Sequence, residues 1–264
     1  MVPLLALRLE DGPHDRYPFA IPALRGLTRL ELDCPVTFLV GENGSGKSTL
    51  LSGLACAAGA ITAGRLSAAD DPDLPGGRLL SERLRLEWRH RTSRGFFLRA
   101  EDFFGYVLGL KRLREDLEAD LERSLRESTD LPDGERQRRA APYRGQLGAL
   151  RNYGAPLEAR SHGEGYLAFF AARFVPGGLH LLDEPEAALS PMRQLALLSL
   201  LRACAEQGGQ FVIATHSPLL LAYPQARIYE FSESGVNTAV YEELEAVRLT
   251  RHFLEDPGRF LRHL

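Results

Sequence analysis

Apolar and polar positions change period twice along this chain. Residues 2–8, 28–32 and 36–40 are apolar or alternating, and are punctuated by Gly12-Pro13, Pro18, Pro22 and Pro35. That pattern predicts short strands. An apolar helix is predicted over residues 47–58, whereas 70–77 (Asp-Asp-Pro-Asp-Leu-Pro-Gly-Gly) have the composition of a loop. Residues 84–88 and 96–99 alternate again, predicting two strands joined as a hairpin through 92–95. From 101 to about 128 the period becomes helical, with Leu113, Leu117, Leu121 and Leu125 recurring every four residues among charges. Residues 129–144 are polar and rich in Pro, Gly and Arg, which predicts a mobile connection. Beyond Glu164 helix and strand alternate: helix to 174, strand 179–183, helix 191–206, strand 210–214. Such alternation implies a parallel sheet with helices packed on it.

Composition narrows the class. A chain of 264 residues makes one large domain or two small ones, and 44% hydrophobic with 25% charged residues is ordinary for a globular protein. A disordered chain, a collagen-like fibre and a disulfide miniprotein are excluded. The net charge of −3 argues against a uniformly basic nucleic-acid coat. A local basic patch is still compatible with it: Arg83, Arg85, Arg89, Arg91, Arg94 and Arg99, set against Glu82 and Glu87, would make a basic surface on the predicted hairpin, either a solvated face or one suited to a phosphate backbone. The most apolar stretches, 166–175 and 195–205, are short and broken by Arg173 and Arg202, so no integral membrane segment is expected. The first ten residues lack the basic region of a secretory leader. Three cysteines, Cys34, Cys56 and Cys204, fall in no metal spacing and suit a reducing, cytoplasmic setting.

Three motifs carry chemistry. Gly41-Glu42-Asn43-Gly44-Ser45-Gly46-Lys47-Ser48-Thr49 matches G-x-x-x-x-G-K-[ST], with a predicted strand before it and a helix after it. Glycines let the backbone wrap an anion and turn its N–H groups inward, and the helix N-terminus adds a favourable dipole. Lys47 is expected on the β- and γ-phosphates and the Ser48 hydroxyl on Mg²⁺. Lys47 and Lys111 are the only lysines among 32 basic residues, so a lysine here stands out. Leu179-His180-Leu181-Leu182-Asp183-Glu184-Pro185 delivers two carboxylates at a strand's carboxyl end, where parallel sheets bind ligands. Asp183 suits the Mg²⁺ shell and Glu184 the attacking water. Ala214-Thr215-His216-Ser217-Pro218 closes the next strand and sets His216 on the same rim, as a hydrogen-bond donor to the γ-phosphate or the water.

Together with Arg160-Ser161-His162-Gly163-Glu164-Gly165, these motifs resemble the ATPase domain of the ABC superfamily. Ser161-His162-Gly163-Glu164 looks like a variant of its L-S-G-G-Q signature and likewise opens a helix. Ser161 precedes Asp183 by 22 positions and Asp183 precedes His216 by 33, spacings that suit the family. The resemblance implies an α/β P-loop NTPase fold with an ABC-type core: a mostly parallel sheet flanked by helices, an N-terminal antiparallel β part and a small helical subdomain. Residues 1–264 would form one ATPase domain, with 1–100 and 176–264 as nucleotide-binding core and 101–175 as helical, signature-bearing subdomain. It implies ATP and Mg²⁺, and an ATP-dependent head-to-tail homodimer in which Ser161, Gly163 and Glu164 cap the nucleotide held by the partner. Lys47, Glu184 and His216 are the catalytic residues it implies. Two departures stand out. His162 replaces a signature glycine, and no glutamine follows the strand at 96–99, where Glu101 is the candidate substitute. Tyr17 is the candidate for stacking on the nucleobase. Glu186-Ala187-Ala188-Leu189-Ser190 resembles the segment that crosses the family's dimer interface.

Both departures shift the resemblance toward small soluble ATPases of the RecF and SMC-like kind, called AAA-family ATPases in bacteria. The expected role is an ATP-driven dimerisation switch in DNA maintenance or phage defence, with nucleic acid or another protein as target. The alternative is the nucleotide-binding subunit of an ABC transporter. A GTPase would need N-K-x-D, which does not occur.

Overall fold

Period-two alternation on buried strands sets the architecture. The computed structural model describes residues 1–10, 12, 15–62, 67–154 and 162–262. In chain order its elements are β1 (Leu4–Leu9), α1 (Pro22–Arg25), β2 (Arg29–Glu31), β3 (Val36–Gly41), α2 (Lys47–Ala58), α3 (Pro75–Ser81), β4 (Leu84–Trp88), β5 (Gly95–Arg99), α4 (Ala100–Glu127), α5 (Asp133–Gly154), α6 (His162–Arg173), β6 (Leu179–Asp183), α7 (Pro191–Glu206), β7 (Gln210–Ala214), α8 (Pro218–Leu221), β8 (Arg227–Ser232), β9 (Gly235–Ala239), α9 (Glu245–Glu255) and α10 (Pro257–Leu261). A six-stranded sheet has the order β5-β6-β7-β3-β8-β9, with only β9 antiparallel to its neighbour. A second, three-stranded antiparallel sheet has the order β2-β1-β4.

Successive residues of the central strands feed opposite layers. Val36, Phe38 and Val40 of β3 and Phe211 and Ile213 of β7 enter one hydrophobic cluster with α6, α7 and α8. Leu39 of β3 and Val212 and Ala214 of β7 enter the other, with α2, α3 and the antiparallel sheet. The main sheet is thus covered on both faces, which is why its strands read as continuous apolar runs. Buried side chains stitch the two sheets: Tyr229 of β8 donates its hydroxyl to Glu31 O of β2 at 3.0 Å, and Gln210 of β7 reaches β1. Gln210 Oε1 accepts from the Leu4 N–H at 2.8 Å, and Gln210 Nε2 donates to Leu4 O at 2.8 Å and to Leu32 O.

Several expectations fail, the main ones for tertiary reasons. β4 and β5 form no hairpin: β4 pairs antiparallel with β1, and β5 lies parallel beside β6. The predicted basic face therefore does not form. Arg85 pairs with Glu10, while Arg99 turns to Asp102 on α4. Residues 129–144 are not a loose connection, because most of them belong to α5. That helix folds back on α4 to make an antiparallel pair, burying Leu117, Ser128 and Ala140 despite Pro142 in its interior. Part of the predicted loop 70–77 is also helical, since α3 starts at Pro75. Among the described residues no helix is long and apolar enough to cross a membrane.

Candidate functional site

Strand register brings the motifs to one rim. Asp183 lies beside Arg99 on one side and Ala214 on the other, and Ala214 is beside Leu39, two residues before Gly41. The carboxyl ends of β3, β6 and β7 thus meet along one sheet edge, the usual place for a ligand in a parallel sheet.

Residues 41–49 form the turn from β3 into α2. Gly41 and Gly46 have φ of +137° and +104°, and a Cβ on Gly41 would stand 2.3 Å from Phe231 O. Only glycine fits such a position. α2 begins directly at Lys47 with no side chain capping its first turn, so its first N–H groups remain donors for an anion. The buried Lys47 ammonium donates to Gly41 O at 2.8 Å and Glu42 O at 2.7 Å. Burial pulls its pKa down, opposed by the carboxylates of Glu184, Asp183 and Glu186.

Ser48 Oγ donates to Asp183 Oδ1 at 3.0 Å, so the two predicted metal-binding groups already touch. Burial pushes the Asp183 carboxyl up to about 6, against the Ser48 hydrogen bond and Lys47, while Glu184 and Glu101 push it further up. A hydroxyl and a desolvated carboxylate form a hard oxygen pair that a divalent cation would stabilise. Mg²⁺ characteristically takes one or two carboxylates and fills its shell with water and phosphate oxygens. The residues therefore fit Mg²⁺, and Ser48 and Asp183 are the groups that would hold it.

Glu184 has φ 49° and ψ 51°, a left-handed conformation that costs a non-glycine residue about 1–2 kcal/mol. The turn sends consecutive carboxylates apart: Asp183 is buried and Glu184 exposed. The Glu184 N–H bonds Ala214 O at 2.9 Å. Across the rim, His216 Nε2 lies 3.8 Å from Glu184 Oε1, with both side chains about half exposed. An acid and an imidazole at this spacing can share one water or one phosphate oxygen.

A cleft of about 530 Å³ opens beside this rim, walled by Ser48, Thr49, Asp183 and Glu184 together with Tyr17, α3, Arg99 and Glu101. Tyr17 is no core residue; it is mostly exposed, and its hydroxyl is 3.4 Å from Thr49 Oγ1. Glu101 faces the same cleft and pairs with Arg99 at 3.3 Å. Asp102 and Asp71 were not singled out by sequence reasoning, and Arg99 was read only as one of a basic row. The Arg99 fork grips Asp102 at 2.6 and 2.8 Å and reaches Asp71 at 3.8 Å, tying the cleft wall to the start of α4. Glu186 was read only as part of a crossing segment, yet it braces the His216 main chain. A second acid beside a proline-led turn was its one sequence signal.

The predicted signature is only partly in view. Ser161 lies outside the described residues, while Gly163 and Glu164 fall in the first turn of α6. Further along α6, Tyr166, Phe169 and Phe170 pack into an aromatic cluster with Phe96 and Phe103, which fixes the helix on the β5–β6 face.

Comparison with known proteins adds to this geometry. Residues 36–165 and 148–222 match the family model described as "AAA domain, putative AbiEii toxin, Type IV TA system". The cobalt import ATP-binding protein CbiO of Salmonella typhimurium is 28% identical over 244 residues, spanning 88% of this chain and 83% of that protein. The macrolide export ATP-binding/permease protein MacB of Nitrosomonas europaea is 29% identical over 241 residues, 89% of this chain but 33% of that protein. Among solved structures, the Smc head domain of Pyrococcus furiosus aligns over 96% of this chain and 100% of its own at 13% identity, with a TM-score of 0.49.

Proposed function

Because the chain belongs to that AAA-domain family and is an ABC-type P-loop ATPase, we propose that it is the nucleotide-binding subunit of a larger machine, hydrolysing Mg·ATP to drive a partner protein. The observation that carries this reading is the meeting of Lys47, Ser48, Asp183, Glu184 and His216 on one rim, with Ser48 and Asp183 in contact.

Each residue has a definable task. Lys47 and the N–H groups of residues 44–49 bind the β- and γ-phosphates. Bound Mg²⁺ supplies charge neutralisation across those phosphates. Ser48 and Asp183 keep their oxygens fixed for it, without reorganisation at the moment of reaction. Glu184 accepts the proton of the attacking water, and His216 donates a hydrogen bond to the γ-phosphate end. Tyr17 offers its ring to the base. Two chains pairing head to tail would bring residues 161–164 of one against the phosphates of the other. The domain division into a core of 1–100 and 176–264 and a helical part of 101–175 serves that arrangement, since α4, α5 and α6 all belong to the second part.

The identity of the partner is where the alternatives divide. CbiO and MacB, both transport ATPases by name, support a membrane-embedded transport partner over a switch in DNA maintenance or phage defence. A second reading is retained on one observation. The strand end that carries a glutamine in transporter subunits here carries Arg99, locked into Asp102, followed by Glu101. Fractionation of native cells carrying a tagged chain separates the two. Recovery with membranes, released only by detergent together with a spanning subunit, supports the transport reading. Recovery free of membranes at every nucleotide concentration overturns it in favour of the soluble switch.

A further inference from the structure

Glu186 is the second residue of the 3₁₀ turn Pro185–Ala188, directly after the catalytic carboxylates. Its Oε1 accepts two hydrogen bonds, from Thr215 Oγ1 and from the His216 N–H, both at 2.7 Å. A single carboxylate oxygen thereby fixes the main chain of the residue assigned to the γ-phosphate. Its other oxygen, Oε2, is buried with no hydrogen-bond partner. The turn packs against α6. On that helix Tyr166 is fully buried, its ring held by Phe103 at 4.2 Å and Phe170 at 4.7 Å, and its hydroxyl likewise lacks a partner. The two groups are complementary, one phenol donor and one carboxylate acceptor. Each is a desolvated polar atom left uncompensated, and a direct bond or one shared water would satisfy both. The electrostatic environment agrees: burial raises the Tyr166 phenol above its usual range, and Glu186 is the charge that raises it most.

We infer that Glu186 is a positioning residue for His216, and that the Tyr166 hydroxyl joins Glu186 so that α6 and the His216 loop move as one unit. The inference rests on the ATPase reading above and deepens it. α6 begins at His162, within the segment proposed to meet the partner chain's nucleotide. A shift of α6 on pairing would thus reach His216 through two side chains, making hydrolysis sensitive to the dimer without any direct contact between the partner and His216.

The test is a set of double-mutant cycles on the full chain, reading steady-state phosphate release, affinity for a fluorescent ATP analogue, and melting temperature. Glu186→Ala is expected to lower kcat about tenfold or more while KM and analogue affinity stay within about twofold. In a His216→Ala background the same change should cost less than about twofold, because a residue acting through His216 has nothing left to position. Glu186→Gln, which keeps an oxygen acceptor, should recover most of the lost kcat. Tyr166→Phe should lower kcat in the parent and add nothing to Glu186→Ala. Multiplying effects in the cycles, or parental kcat in either Glu186→Ala or Tyr166→Phe, would overturn the inference. Should Glu186→Ala fail to fold, the cycle of Tyr166→Phe with His216→Ala decides between the same two outcomes. A parent chain that binds the analogue but releases no phosphate would refute the ATPase reading instead.

Discussion

Replacing Gln210 by leucine tests how the two sheets are joined. The change keeps the approximate volume and removes every hydrogen bond of the amide. The Leu4 N–H loses its acceptor at 2.8 Å, the carbonyls of Leu4 and Leu32 lose their donor, and the long contact to Cys34 O at 3.5 Å goes with them. Gln210 is fully buried, so water does not replace it. One orphaned donor costs about 1–3 kcal/mol and two orphaned carbonyls about 1 kcal/mol each, giving about 3–5 kcal/mol in all. Extra apolar burial returns about 1 kcal/mol, leaving a net loss of about 2–4 kcal/mol. At about 2–4 °C per kcal/mol for a chain of this size, the melting temperature should fall by about 4–16 °C. Trp88, the single tryptophan, sits on β4 opposite Leu4 and reports on the affected sheet by fluorescence during urea or thermal unfolding. Gln210 starts β7 whereas the catalytic rim lies at its other end, so turnover well below the transition should hold. A melting temperature within about 2 °C of the parent would refute the accounting.

Lys47→Ala removes the charge that faces the β- and γ-phosphates, and should abolish detectable ATP binding; a measured affinity within about threefold of the parent would contradict the assignment of residues 41–49. His180 is buried between Phe96, Phe174 and Phe211, and burial pulls its pKa down to about 4. A lowered folded-state value means the unfolded chain binds the proton first, so stability is intact above about 6.5 and is lost as pH falls toward 4. Between pH 7 and pH 5 this group should remove about 2 kcal/mol, and His180→Phe should lose correspondingly less over that range in urea titrations. An identical pH dependence in the two proteins would rule this out.

The sequence made the catalytic rim legible because its strands are buried on both faces. β3, β6 and β7 read as mainly apolar runs, and each ends directly in a chemical motif, so their meeting on one rim was legible, whereas their order in the sheet came only from the structure. What sequence could not convey was partnership. The strands at 84–88 and 95–99 look like a hairpin because only a short polar stretch divides them, yet their partners, β1 and β6, lie far away in sequence. α5 was hidden for the opposite reason. Its Arg-rich, proline-containing sequence has little helical periodicity of its own, and its helix rests on packing against α4. Arg99, read as one of a basic row, became a buried clamp only once the end of β5 met α4. Glu186 likewise acquired a role only when the turn after β6 met the end of β7.

Glu184→Gln addresses the central claim most directly, because it keeps the shape of the proposed base and removes its capacity to take a proton. Sedimentation equilibrium of this variant, with and without Mg·ATP, reads chemistry and assembly in one sample when bound nucleotide is analysed after the run. The account predicts unhydrolysed ATP and a shift toward a two-chain species only when ATP is present, since nucleotide shared between two chains stabilises the pair. Adding Ser161→Arg should abolish that shift by placing bulk against the partner's phosphates. Hydrolysis at the parental rate would contradict Glu184 as the base, and an ATP-loaded variant that stays a single chain at all concentrations would contradict the head-to-tail site.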